Sequence, residues 1–323
     1  MKIKFAPHKR GKKVYYFEHR NGVLKNKTRS VTRTFSSVMV ALFIFGGAGM
    51  ATNQVLAYRQ ERMAPTASLQ REASPVDTSK KASEEDKLKD ANKKASEDEQ
   101  LAKNVKGKLK NIPGGQKWSV YIRDLKSDRM ASINADNGFE AGNLSSLFVT
   151  LPLEAELPSS NWGYRAGQST VAKCVESIIK SADATCSRSV AQYADRKNSE
   201  GVLNGAGFKK TSVKDNPQTT ARETGDLLYR LQNGQLLSDK ARRVVFDGLY
   251  GQKQREGVPA SCAAQSCLVA NITGEGKTVR HDAAIVTVGK AQYVVVIMTN
   301  NGSWSQIADV SAYVQQEVEA LVP

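Results

Sequence analysis

Histidine decides which chemistries this sequence can carry. Of three histidines in 323 residues, only His281 lies beyond residue 112. A Ser-His-Asp triad would have to use it, and no G-x-S-x-G elbow occurs. A His-rich metal site is impossible. The four cysteines, at 174, 186, 262 and 267, lack C-x-x-C spacing and nearby histidines, so no metal is expected. No cofactor is expected either. His281 sits in VRHDAAIV, just ahead of a strand pattern, and reads as a structural or surface residue. One serine chemistry remains open. A serine hydroxyl is a weak nucleophile until a base takes its proton, and a lysine can be that base.

The elements that must position such groups begin at Trp118. WSVYIRDL alternates apolar and polar residues as a half-buried strand does, and ASINAD can pair back after the turn SDRM. Leu144 to Leu157 is apolar enough for a buried helix. Helical patterns recur at 170–180, 183–195 and 219–250. Three strands follow, CLVANIT (267–273), DAAIVTV (282–288) and YVVVIMT (293–299), and then an amphipathic helix from Gln306 to Leu321. Two strands, several helices, three strands and a last helix predict an α+β fold, an α/β/α sandwich in which helices flank an antiparallel sheet. Four cysteines allow three disulfide pairings. The local pairs Cys174–Cys186 and Cys262–Cys267 are expected, against the alternative of buried free thiols.

Four passages, in order, resemble the class A β-lactamase and penicillin-binding transpeptidase superfamily over roughly residues 115–322. SSLFVTLPL (145–153) is similar to the family's S-x-x-K-x-P helix start. KSADATCSRSVAQYAD (180–195) is similar to its S-D-N loop and following helix. TTARETGDLLYRLQNGQLLSDKARRVVFDGLYGQ (219–252) is similar to the helical pair after its omega loop. ITGEGKTVRHDAAIV (272–286) is similar to its K-T-G strand, turn and next strand. The resemblance implies a serine hydrolase fold, and the same alignment shows what has been replaced. Anchored on Leu151-Pro152, Leu147 stands at the nucleophile and Thr150 at the lysine. Ser181 is kept, but Asp183 stands for the asparagine. Ile272 stands for the lysine ahead of Thr273 and Gly274. No glutamate near DNPQTT (215–220) offers a deacylation base. A one-residue slip makes Ser146 the nucleophile, with Val149 three residues on. Lys180 and Lys277 are the lysines to test for reach into the cleft. Ser145 and Ser146 otherwise read as helix N-cap residues.

The first 111 residues are of another kind. Residues 1–33 hold eleven Lys/Arg against Glu18 alone, a net +10 of the chain's +15. Residues 34–58 carry no charge. Their core, VMVALFIFGGAGMA, is short for the roughly 20 residues a spanning helix needs, and its flanks extend it. Basic residues beside such a segment hold that flank in the cytoplasm. Tyr15, Tyr16 and Phe17 suit interfacial anchoring, so nucleic acid is not the expected partner of this head. A cleaved signal peptide ending near Val55-Leu56-Ala57 is the rival to an uncleaved anchor. Residues 59–111, rich in Ala, Lys, Glu and Ser, read as a solvated stalk. Leu88, Ala91, Ala95, Ala102, Val105 and Leu109 form a weak heptad, interrupted in its stripe by Asp98.

The expected protein is thus a basic cytoplasmic tail (1–33), a transmembrane segment (34–58), a stalk (59–111) and an extracytoplasmic domain (112–323). It crosses a bacterial cell membrane once. With nucleophile and lysines replaced, the domain is expected to be a pseudoenzyme that binds or scaffolds in the cell envelope, with a peptidoglycan-like or protein ligand. The alternative is an active hydrolase or transpeptidase acting through Ser146. The sequence leaves the oligomeric state open.

Overall fold

The computed structural model describes residues 17–20, 23–26, 78–112, 114–194, 198–262 and 267–321. The uncharged segment 34–58, on which the membrane anchor was read, lies outside them. Among the described residues, no helix is long and apolar enough to cross a membrane. In the N-terminal unit, β1 (Phe17–Arg20) and β2 (Val23–Asn26) pair antiparallel.

The second unit, Asp77–Pro323, contains the folded domain. It opens with α1 (Thr78–Lys110), followed by β3 (Lys117–Asp124), β4 (Met130–Ile133) and the short β5 (Gly138–Glu140). A 3-10 turn at Gly142–Leu144 leads into α2 (Ser145–Glu156). The hairpin β6 (Arg165–Ala166) and β7 (Ser169–Thr170) precedes α3 (Val171–Ser181), α4 (Ala184–Val190) and α5 (Ser199–Gly205). Then come β8 (Gln218–Thr220), α6 (Ala221–Gln232), α7 (Asp239–Tyr250) and α8 (Val258–Ser261). The chain closes with β9 (Cys267–Glu275), β10 (Val279–Val288), β11 (Ala291–Asn300) and α9 (Trp304–Ala320).

The five-stranded sheet has the order β4-β3-β11-β10-β9, antiparallel throughout. Successive side chains of a strand point to opposite faces, so one strand can serve two cores. In β11, Val294, Val296 and Met298 enter the core with α2, α3, α6 and α7. Tyr293, Val295 and Ile297 enter the core with α1, α8 and α9. Burial on both faces is why YVVVIM reads as an unbroken apolar run although the sheet is antiparallel. The expected sandwich of helices around an antiparallel sheet is therefore present.

Local signals set the helix ends. Thr170, Thr220, Ser238 and Ser303 cap α3, α6, α7 and α9 by accepting a backbone N–H, and Ser303 with Gln306 completes a capping box. The helical pattern read over 219–250 is two helices, broken at Asn233-Gly234, where Gly234 has φ +68°. The pattern read over 183–195 yields only α4, which ends at Val190.

The stretch read as stalk behaves differently from its composition. Leu101, Val105 and Leu109 are buried in the second core. Asn104 Nδ2 donates to Glu317 at 2.7 Å, and the Lys108 ammonium lies 5.9 Å from the centre of the Tyr313 ring. The C-terminal half of α1 thus packs antiparallel to α9 and completes the domain. The boundary drawn at residue 111 separates a helix from the core it fills. Three apolar residues at i, i+4 and i+8 are enough, because α9 and the sheet supply the remaining apolar surface.

Candidate functional site

The first of the four passages meets the last at the start of α2. Gly142 has φ +53°, and a Cβ there would stand 2.7 Å from the backbone nitrogen of Glu275. A Cβ on Gly274 would stand 2.5 Å from the Ala141 carbonyl oxygen and 3.0 Å from Leu144 Cγ. Two glycines thus let the helix start press directly on the end of β9. Asn143 ties the same turn to α3: its Nδ2 donates to the Ile178 carbonyl at 3.1 Å, in the helix's last turn, just ahead of the second passage. The meeting point is the 142–145 turn, several residues before the position that alignment on Pro152 marks.

The residues singled out by that alignment divide into two groups. Leu147 and Ile272 are fully buried in the first core, and neither faces a cleft. Thr150 is buried beside Leu147, and its Oγ1 donates to the Leu147 carbonyl at 2.5 Å. Of the remaining four, Gly274 lies at the meeting point, against Ala141 and Leu144, while Ser181, Asp183 and Thr273 make their contacts elsewhere. Ser181 is exposed at the end of α3, and its Oγ donates to the Ser177 carbonyl at 3.1 Å. Asp183 caps α4, accepting from the amides of Thr185 and Cys186 at 2.9 Å each and from Ser177 Oγ at 3.0 Å. The Cys186 amide, ahead of the Ser177 hydroxyl, holds this carboxyl below its ordinary range. An aspartate suits that capping position, which explains its presence without catalysis. Thr273 is half-buried on β9, opposite Asp282 of β10.

The serines at the helix start are not coupled to a base. Ser145 Oγ donates to the Gly142 carbonyl at 2.8 Å, and Ser146 Oγ to the Asn143 carbonyl at 2.7 Å. Lys180 lays its aliphatic stem against Gly251 at the end of α7. Lys277 is exposed in the turn between β9 and β10. The ammonium groups of Lys126, Lys173, Lys210 and Lys240 donate to backbone carbonyls or carboxylates, the Ser160 carbonyl among them. A cavity of about 200 Å³ does adjoin Asn143, Ser146 and Thr150 and is closed by Val149, Ser187 and Val213. It is largely apolar with a fringe of hydroxyls. Among the described residues, no three His, Cys, Asp or Glu side chains gather as a metal ion would require.

His281 is fully buried, so of its two expected roles the structural one holds. Its Nε2 lies 2.8 Å from the Glu140 carbonyl, and the Thr299 amide donates to Nδ1 at 3.2 Å. Phe139 meets the ring edge-on at 5.5 Å. Burial pushes the ring down to about 4, against the opposing pull of the Glu140 and Arg280 carbonyls. Nδ1 also lies 2.8 Å from the Arg280 carbonyl, and a neutral imidazole donates from one of its nitrogens and accepts at the other. The ring anchors the strand before the 142–145 turn to β10 and so fixes where α2 begins.

Sequence reasoning missed Asp282, its neighbour. This carboxyl is fully buried and pushed up to about 7 by desolvation. It accepts from the Val258 amide at 2.8 Å and from Asn271 Nδ2 at 3.0 Å, and Gly257 leaves it room. Arg255 in turn donates to Asn271 Oδ1 at 3.0 Å. The only signal in the sequence was an acidic residue inside the strand pattern DAAIVTV.

Both local disulfides are formed. Cys174–Cys186 joins α3 to α4, and Cys262–Cys267 joins the end of α8 to the start of β9.

The sequence model of the beta-lactamase enzyme family matches residues 158–318. No curated protein matches the sequence. Among solved structures, PBP-A is 18% identical, with a TM-score of 0.59 over 68% of this chain and 96% of its own. A β-lactamase from Streptosporangium roseum is 16% identical, with a TM-score of 0.57 over 70% of this chain and 99% of its own. The extended-spectrum β-lactamase TLA-3 is 13% identical, with a TM-score of 0.59 over 70% of this chain and 100% of its own. At these identities the likeness is one of fold.

Proposed function

We propose, from the premise that this chain carries a domain of the β-lactamase and penicillin-binding-protein-like superfamily, that the domain is a pseudoenzyme. It binds or scaffolds in the cell envelope, held to the membrane by residues 34–58 and displayed on the extracytoplasmic side. One observation carries the reading. The helix-start serines spend their hydroxyls on carbonyls of their own turn, and among the described residues no lysine ammonium is hydrogen-bonded to either. Leu147 and Ile272 lie in the first core, so neither supplies a nucleophile or a carboxylate-binding group. The uncharged segment, its basic flank and the two disulfides support the placement. A peptidoglycan-like or protein ligand fits that location.

The experiment uses the full chain in detergent with a fluorescent penicillin and a fluorophosphonate probe. No covalent label is expected after denaturation. Labelling that Ser146→Ala abolishes would overturn the reading and establish a hydrolase acting through Ser146.

A further inference from the structure

The end of the sheet opposite the β3–β4 turn carries an open groove of about 940 Å³, unrelated to the aligned positions. None of Asn143, Ser146, Ser181 or Gly274 lines it. Its floor is apolar, built from Leu109, Trp118, Ile133, Phe139 and Val279. Lys106, Lys110 and Lys117 stand on its rim, all exposed. None of the three forms an ion pair among the described residues. Favourable interaction with a helix C-terminus accounts for Lys110, at the end of α1. It does not account for Lys117, on β3, or for Lys106, a full turn earlier. The rim also carries the amides of Asn137, Gln218 and Asn300, and among the described residues Glu140 is the one acid that lines it. Unpaired cations around an apolar floor, with amides between them, complement a chain that is anionic, partly apolar and itself rich in amides.

We infer that this groove is a docking site for an extended acidic peptide that presents apolar side chains between its carboxylates. The lysines take the carboxylates and the floor takes the apolar side chains. The rim amides donate to and accept from the peptide backbone. This site is independent of whether the serine cleft is active, so the two readings stand or fall separately.

The test is fluorescence anisotropy on the full chain in detergent, with a labelled peptide of alternating Glu and Leu. Three exposed charge contacts of roughly 0.5 kcal/mol each amount to about tenfold in affinity. The triple variant Lys106→Gln/Lys110→Gln/Lys117→Gln should therefore bind about tenfold more weakly. A control triple, Lys173→Gln/Lys209→Gln/Lys240→Gln, should bind within about twofold of the parent. All six lysines are exposed, so folding is unaffected, and circular dichroism checks it. A peptide alternating Glu and Ser should bind more weakly than the Leu peptide, because it cannot use the floor. Equal loss in both triples, or equal affinity for the two peptides, would overturn the groove as the site. Inorganic polyphosphate binding more tightly than the Leu peptide, with the same dependence on Lys106, Lys110 and Lys117, would overturn the peptide as its occupant.

Discussion

The imidazole Nε2 of His281 and the carbonyl oxygen of Glu140 lie 2.8 Å apart, joining residues 141 positions apart in the chain. That contact bridges the β5 strand to β10 immediately before the turn that begins α2. It gives the domain's lone histidine a structural role, anchoring the strand that leads into the 142–145 turn.

The anchor and its neighbour respond to pH in opposite senses. A His side chain in the unfolded chain protonates near 6.5, and the folded ring only near about 4. Between these values the unfolded state binds the extra proton, so the His281 contribution is lost as pH falls. The full difference is about 3 kcal/mol. Asp282 holds its proton up to about 7 when folded and would release it near 3.8 when unfolded. Its contribution is therefore lost as pH rises through that window. Urea melts of His281→Asn and Asp282→Asn at pH 4.5 and 7 check this. The cost of His281→Asn should be smaller at pH 4.5, and the cost of Asp282→Asn smaller at pH 7. Costs that move in the same direction would contradict the assignment.

The two glycines at the meeting point make a second prediction. Gly142→Ala adds a Cβ against the Glu275 nitrogen at a positive φ, and Gly274→Ala adds one against the Ala141 carbonyl. Each should cost about 1–3 kcal/mol, the range for backbone strain and overpacking. Gly163→Ala, with nothing within 4 Å of its added Cβ, should change stability by less than about 0.5 kcal/mol. Thermal melts of the three variants would rank them.

The packing of α1 gives a third. Leu101→Ala and Leu109→Ala should each destabilise the domain by about 2–5 kcal/mol, the usual range for leucine truncation in a core. A solvated stalk would tolerate both within about 0.5 kcal/mol. Chemical denaturation separates the outcomes.

The disulfides give a fourth. Cys174 and Cys186 are 12 residues apart and Cys262 and Cys267 are 5 apart. On the chain-entropy account, removing the longer loop costs about 3 kcal/mol and the shorter about 2. Cys174→Ala/Cys186→Ala should therefore lower the melting temperature more than Cys262→Ala/Cys267→Ala. The reverse order would mean that strain or residual structure outweighs loop length.

Much of the scaffold was legible because its signals are local. The alternation in WSVYIRDL, the apolar runs of β10 and β11 and the cysteine spacings each depend on a few neighbouring residues. The site was less legible. Alignment on Pro152 set the register inside α2, whereas Gly142, Gly274 and Asn143 set its start through contacts with β9 and α3. No periodicity reveals such contacts. The docking of α1 was hidden for a similar reason. Leu101, Val105 and Leu109 are sparse in a charged helix, and their burial depends on α9, some 200 residues later.

The antiparallel run of α1 along α9 also fixes how the domain would bear load. Tension applied through the N-terminal end of α1 acts first at the Glu97–Arg129 ion pair, then at Leu101, and only afterwards at Val105 and Leu109. The helix would therefore peel away turn by turn, from the β4 edge and α9 together. A pull from that side opens one seam at low force before it threatens the rest of the fold.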